Sequence, residues 1–259
     1  MLSIDLSGRV AAVFGVANHR SLAWGIAQAL HQAGARLAFT YQGERLKEKV
    51  ARLAGQCQDS LLLPCDVTDD GQVENVFTVI GKECRRLDFL VHSIAFAPRE
   101  ELEGAFLQTS REGFRTALEV SAYSFLRMTA AAAPLMIRSG GGSVVTLTYM
   151  AAEKVIPRYN VMGSAKAALE HAVRQLAWEL GPDAIRVNAV SAGPVATLAA
   201  RGVSGLTDML ARHREKAPLR RNITQEEVGK TALFLLSDLS SGITGEIVHV
   251  DAGFSIMGM

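Results

Sequence analysis

From Arg9 to Val250 the chain alternates short apolar runs with segments of helical period, and few folds accept that rhythm. Runs at Arg9–Phe14, Arg36–Thr40, Leu61–Cys65, Leu87–Ile94, Ser143–Thr148, Ile185–Val190 and Glu246–Val250 predict seven strands. Helices are predicted over Leu22–Gln32, Glu44–Ala54, Asp70–Cys84, Arg111–Ala133, Tyr159–Leu180 and Gln225–Leu236, with the stretch after the sixth strand irregular. Strands that are apolar on both faces need cover on both faces. The expected class is therefore α/β, a Rossmann-type doubly wound parallel sheet of about seven strands with helices on both faces. Such a sheet takes its ligand at the carboxyl ends of the strands. No linker, repeat or composition shift divides the chain, so residues 1–259 are expected to form a single dinucleotide-binding catalytic domain.

Composition narrows the partners. Lys+Arg number 27 and Asp+Glu 26, a net charge of +1, which gives no reason to expect nucleic acid or a membrane surface. Cys57, Cys65 and Cys84 have neither C-x-x-C spacing nor an even count, so neither a disulfide framework nor a metal site is expected, and a reducing, cytoplasmic setting is. No secretory leader is recognisable at the N-terminus, and no 18-residue apolar run suggests a membrane span.

After the first strand comes Gly15-Val-Ala-Asn-His-Arg-Ser21-Leu22-Ala-Trp-Gly25-Ile-Ala27. It lacks the G-x-G-x-x-G fingerprint, but Gly15 allows the turn and Ser21 can cap the helix and meet a phosphate. Gly25 and Ala27 allow close packing against the sheet, aiming the helix N-terminus at a pyrophosphate. The second strand ends Thr40-Tyr41-Gln42-Gly43-Glu44-Arg45, with no carboxylate immediately after it to hold both ribose hydroxyls. Arg45 and Lys47 could meet a 2′-phosphate, while Gln42 suits either nicotinamide cofactor.

Tyr149 follows the fifth strand, and Tyr159 and Lys166 stand seven residues apart on the predicted helix. Seven steps of about 100° return to within about 20° of the start, with a rise of roughly 10.5 Å, so both face one groove. A phenol there can donate a hydrogen bond to charge developing on a substrate oxygen, and a nearby ammonium is expected to make its proton easier to share. The sixth strand runs into Ser191-Ala-Gly193-Pro194-Val195-Ala-Thr197. The small residues beyond it predict a substrate flap at about 195–215.

Together these segments resemble the bacterial NADH-dependent enoyl-acyl-carrier-protein reductases, a divergent branch of the short-chain dehydrogenase/reductase superfamily. The resemblance runs from Leu6-Ser7-Gly8 to Val250-Asp-Ala-Gly-Phe254 and is carried by Gly-x5-Ser, His92-Ser-Ile-Ala-Phe-Ala-Pro98, Tyr-x6-Lys with Tyr149 ten residues earlier, and Ser191-Ala-Gly-Pro194. It implies reduction of trans-2-enoyl thioesters in type II fatty acid biosynthesis, with acyl carrier protein as partner and a homotetrameric assembly using the apolar face at Ala167–Leu180. It implies catalytic roles for Tyr149, Tyr159 and Lys166, with Ala97 and both tyrosines at the substrate. The cofactor positions are Gly15, Ser21, Leu22, Gln42, Asp66, Val67, Ile94, Lys166, Val195, Ala196, Thr197, Leu198 and Ala199. Gln42 leans toward NADH, with NADPH left open. Three departures bear on substrate or inhibitor fit: Ala196 replaces a common arginine, Ala95 a glycine, and Met150-Ala151 a Leu-Gly pair.

Two other readings compete. A ketoacyl or alcohol dehydrogenase of the same superfamily would carry Tyr-x3-Lys, but position 163 is Gly163. A non-catalytic nucleotide sensor would be expected to lose a catalytic side chain, and both Tyr159 and Lys166 are present. The densest basic stretch, Arg201 to Arg221, is the candidate docking surface for an acidic carrier.

Overall fold

The computed structural model describes residues 4–197 and 205–258. Seven strands form one parallel sheet: β1 (Val10–Phe14), β2 (Arg36–Tyr41), β3 (Leu61–Pro64), β4 (Phe89–His92), β5 (Gly142–Thr148), β6 (Ile185–Ala192) and β7 (Ile247–Val250). Their order is β3-β2-β1-β4-β5-β6-β7, so the winding reverses between β1 and β4. Parallel register pairs Val13 with Phe39 on one side and with Val91 on the other.

Alternate residues of each strand feed opposite faces, the period-2 rule of a pleated chain. Ala11, Val13, Leu37, Phe39 and Val145 pack under α1 (Leu22–Gln32), α2 (Gly43–Ala54) and α8 (Gln225–Leu236). Ala12, Phe14, Leu90, Val144 and Val187 pack under α3 (Asp70–Cys84), α5 (Ser124–Arg138) and α6 (Asn160–Leu180). The doubly wound arrangement is therefore as expected. Asp69 caps α3 by accepting from the Gln72 N–H at 3.1 Å, and Thr224 and Glu227 form a reciprocal capping box on α8.

Several expectations need correction. The helix expected over Arg111–Ala133 is two helices, α4 (Arg111–Leu118) and α5, joined by a π turn at Glu119–Tyr123. Tyr159 is the N-cap of α6 rather than its first turn. The stretch expected to be irregular contains α7 (Leu206–Lys216), anchored by buried His213, which stacks on Phe254 at 4.8 Å and bonds to Asn222. Gly25 does not serve the sheet. A Cβ there would strike Gln225, and one on Gly229 would strike the Gly25 carbonyl, so the two glycines let α1 and α8 cross backbone to backbone. Nor is the apolar face of α6 free for assembly, because Leu169, Val173, Leu176 and Ala177 fill this chain's own core.

Candidate active site

A cavity of about 1010 Å³ opens at the carboxyl ends of the strands, spanning the point where the winding reverses. Gly15, Ser21, Leu22, Gln42, Asp66, Val67, Ile94, Lys166, Val195 and Thr197 line it, as do Ala97, Tyr149 and Tyr159. Ala196 is exposed and does not line it. Leu198 and Ala199 lie outside the described residues, as does residues 198–204 of the expected flap. Sequence reasoning passed over Thr116, Val120 and Met162, which also line the cavity. Val120 and Met162 are apolar residues on helical segments, a pattern that marks core and site alike.

At the β1 end, Gly15 sits at φ +94°, and a Cβ would strike the Ser93 carbonyl, so glycine is required for the close approach to β4. Ser21 holds the N-cap position of α1 but its hydroxyl does not cap the helix. It accepts from the N–H groups of Ala17 and Asn18 at 3.0 and 3.1 Å, pinning the loop instead. The helix N-terminus thus faces the cavity with its own first-turn amides unbonded by that hydroxyl, which suits an anion.

At the β2–β3 end, Gln42 Nε2 donates to Asp66 Oδ2 at 2.9 Å, and Thr68 donates twice to Oδ1. Burial works to raise the Asp66 carboxyl, but the bonds from Gln42 and Thr68 outweigh it and hold it below its ordinary range. Lys47 turns to Glu44 at 3.2 Å and lies over the Tyr41 ring. It is therefore engaged on its own helix.

The β5 end is built differently. Tyr149 and Tyr159 meet with ring centroids 5.0 Å apart, and the Tyr149 hydroxyl points to Met209 Sδ of α7 at 3.6 Å. Burial pushes the Tyr149 phenol up to about 12. Tyr159 is raised further, by burial first and by Tyr149 second. The expectation that an ammonium would ease the Tyr159 proton is overturned, because desolvation of the phenolate dominates. Lys166 is 5% exposed, donates to the Leu147 carbonyl at 2.8 Å, and is pulled down to about 8 by burial, with Glu170 opposing. His92, wholly buried between Thr146 and Ser124, is held neutral down to about 3 by burial and then by the charge of Lys166. Among the described residues no cluster of three or more His, Cys, Asp or Glu side chains gathers that could hold a metal.

A parallel sheet with this strand order, a glycine turn leading to a helix N-terminus, and a Tyr/Lys pair across the same cavity define the dinucleotide-binding α/β class. Comparison with known proteins places the chain more narrowly. The sequence profile of the family described as enoyl-(acyl carrier protein) reductase matches residues 15–255. The chain is 52% identical over 259 residues to an enoyl-[acyl-carrier-protein] reductase [NADH] of Nostoc sp., covering 99% of this chain and 100% of that protein. It is likewise 52% identical to the Bacillus subtilis protein of the same description, over 98% of this chain and 99% of that one. The Bacillus cereus enoyl-acyl carrier protein reductase, solved with NADP+ and an indole naphthyridinone, superposes with a TM-score of 0.96 at 50% identity, covering all of both chains. The chain belongs to the enoyl-(acyl carrier protein) reductase family.

Proposed function

We propose that this protein is an NADH-dependent enoyl-acyl-carrier-protein reductase that saturates trans-2-enoyl thioesters in type II fatty acid biosynthesis. The observation that carries the reading is the convergence of Tyr149, Tyr159 and Lys166 on the one cavity that also receives Gly15, Leu22, Gln42 and Asp66. These residues fit a dinucleotide: helix amides face one part of the cavity, hydrogen-bonded polar groups another, and a buried ammonium the third. When bound, NADH supplies the hydride for the carbon–carbon double bond. Lys166 would bind the nicotinamide ribose, and Val195 and Thr197, which line the same cavity, would stand beside the nicotinamide. Val67 and Ile94 line the same cavity and would pack along the cofactor.

Tyr159 keeps its proton at neutral pH because burial disfavours the phenolate. It therefore acts as a neutral donor to the thioester oxygen as negative charge grows there. Tyr149 and Ala97 hold the thioester against it. The chain works as one catalytic domain, with Leu206 and Met209 of α7 at the cavity wall on the substrate side. NADH absorbance followed with a crotonyl thioester tests the whole reading, with loss of absorbance at 340 nm expected. Turnover of an acetoacetyl thioester instead would favour the ketoacyl alternative, and no turnover of either a sensor. NADPH serves as the cofactor comparison.

The carrier docks on α7, where Arg212, Arg214 and Lys216 are exposed. Arg221 is taken up by Glu227 at 2.6 Å and Arg220 by the Glu215 carbonyl, while Arg201 lies outside the described residues. Homotetramer formation draws support from Phe114, Tyr123, Leu126 and Ile137 along α4 and α5, and from Trp178 on α6, which is 77% exposed. The run Arg111–Arg138 is long and apolar enough by length and composition to cross a bilayer, but its most apolar window is 56% buried, and α5 packs on α3 and α6. We read it as a core helix of a cytoplasmic protein.

A further inference from the structure

Helix α6 grips two consecutive residues at the end of β5. Lys166 Nζ donates to the Leu147 carbonyl at 2.8 Å. One turn further, Glu170 Oε1 accepts from the Thr148 hydroxyl, also at 2.8 Å. The next residue along the chain is Tyr149. Glu170 and Thr148 are each 4% exposed, so bulk water does not share their bond. A buried carboxylate is costly unless something compensates it, and what faces it shows its purpose.

From β5, Glu170 meets Thr148. On its own helix Lys166 lies one turn before it and Arg174 one turn after, the latter loosely paired at 3.8 Å with an arginine side chain 54% exposed. Glu153, after β5, and His249 of β7 also bear on it. Around Lys166 stand Tyr159 at the cavity wall and His92 from β4, both neutral, and Glu170. Glu170 is thus the acidic side chain one turn from the buried ammonium, where residues four apart on a helix are neighbours, and the Thr148 bond and Arg174 oppose the rise that burial imposes on its carboxyl.

We propose that Glu170 is a positioning residue of this reaction: its carboxylate fixes the end of β5 through Thr148 and supplies the counter-charge against which the Lys166 ammonium is held. The purpose assigned to that ammonium rests on the reading that Lys166 serves the cofactor, but the test does not need it. In protein carrying lysine labelled with 13C at Cε, the resonance missing in Lys166→Ala reports Lys166 directly, without NADH. Its wild-type midpoint is expected at about 8. Glu170→Gln keeps an acceptor for Thr148 and removes the charge, so it is expected to lower that midpoint by about one unit, a tenfold loss of proton affinity. Glu170→Asp keeps the charge and is expected to keep the midpoint while lowering kcat, because a shorter side chain slackens the hold on Thr148. An unchanged midpoint in Glu170→Gln overturns the proposal. So does a midpoint in Glu170→Asp as low as that of the glutamine variant. Should Glu170→Gln not fold, Glu170→Ala read by the same resonance decides instead, with a drop of about one unit expected and an unchanged midpoint overturning the proposal. NADH affinity of Lys166→Ala tests the cofactor role of the lysine separately.

Discussion

At the β2–β3 end of the cavity, polar side chains lie near solvent and bond to one another; at the β5–α6 end they are buried and bond across elements. Gln42, Asp66 and Thr68 make a short, wet network in which a carboxylate is easily kept ionised. Lys166, Glu170, His92 and Tyr159 stand where desolvation sets the charge state of nearly every group. Recognition can be done with hydrated bonds, whereas holding or releasing a proton on cue calls for an environment that water does not level.

If that contrast is right, the largest effect comes from the buried end. Tyr159→Phe is expected to lower kcat by about 10²–10³ at saturating enoyl thioester, with NADH affinity retained, since it removes one donor to transition-state charge. Wild-type turnover would remove Tyr159 from the mechanism. Lys166→Ala is expected to weaken NADH by roughly tenfold to a hundredfold, the range for losing a hydrogen bond from a charged donor. In the wild type, NADH affinity should decline as pH rises through about 8, because the ammonium is the binding form and rising pH removes its proton. Fluorescence titrations of NADH across pH check both.

His92 gives a smaller and differently directed effect. Its folded value of about 3 lies below the ordinary 6.5, so the unfolded chain takes up a proton that the native one refuses. Stability is therefore full above about 6.5 and is lost as pH falls toward 3, by up to about 1.4 kcal/mol per unit from this group. Thermal melts across that range should show a shallower acid slope in His92→Gln than in the wild type, and identical slopes would count against the neutral, bonded imidazole. Gln42→Ala, at the wet end, should weaken NADH only by about threefold to tenfold, the worth of a neutral hydrogen bond, with no pH dependence between about 6 and 9. A loss as large as that of Lys166→Ala would erase the contrast.

Most of the frame was legible because local chemistry and tertiary structure agree. Helices α1, α3 and α8 begin and end where the apolar periods say they should. Helix α7 was not legible, since Leu206–Lys216 is mostly polar and its buried anchor is a histidine, a residue that reads as surface. The π turn at Glu119–Tyr123 was hidden because one extra residue per turn leaves an apolar pattern nearly intact over so short a span. At the site, the Tyr159/Lys166 spacing predicted a shared cavity, but the charge states did not follow from spacing. They depend on burial, which brings Glu170, an unremarked glutamate four residues past the lysine, up against Thr148.

The crossing of α1 and α8 bears on the order in which the protein can be made. The Gln225 side chain bonds the Ser21 carbonyl across 204 residues of sequence, at the helix end proposed to receive the pyrophosphate. A chain leaving the ribosome exposes α1 long before α8 exists to brace it, and a contact so distant in sequence closes late. The amino-terminal half can pair β1, β2 and β3 early, but its cofactor helix stays unbraced until the carboxyl-terminal segment emerges. A premature stop before Gln225 would therefore cost NADH binding through the loss of a brace on α1.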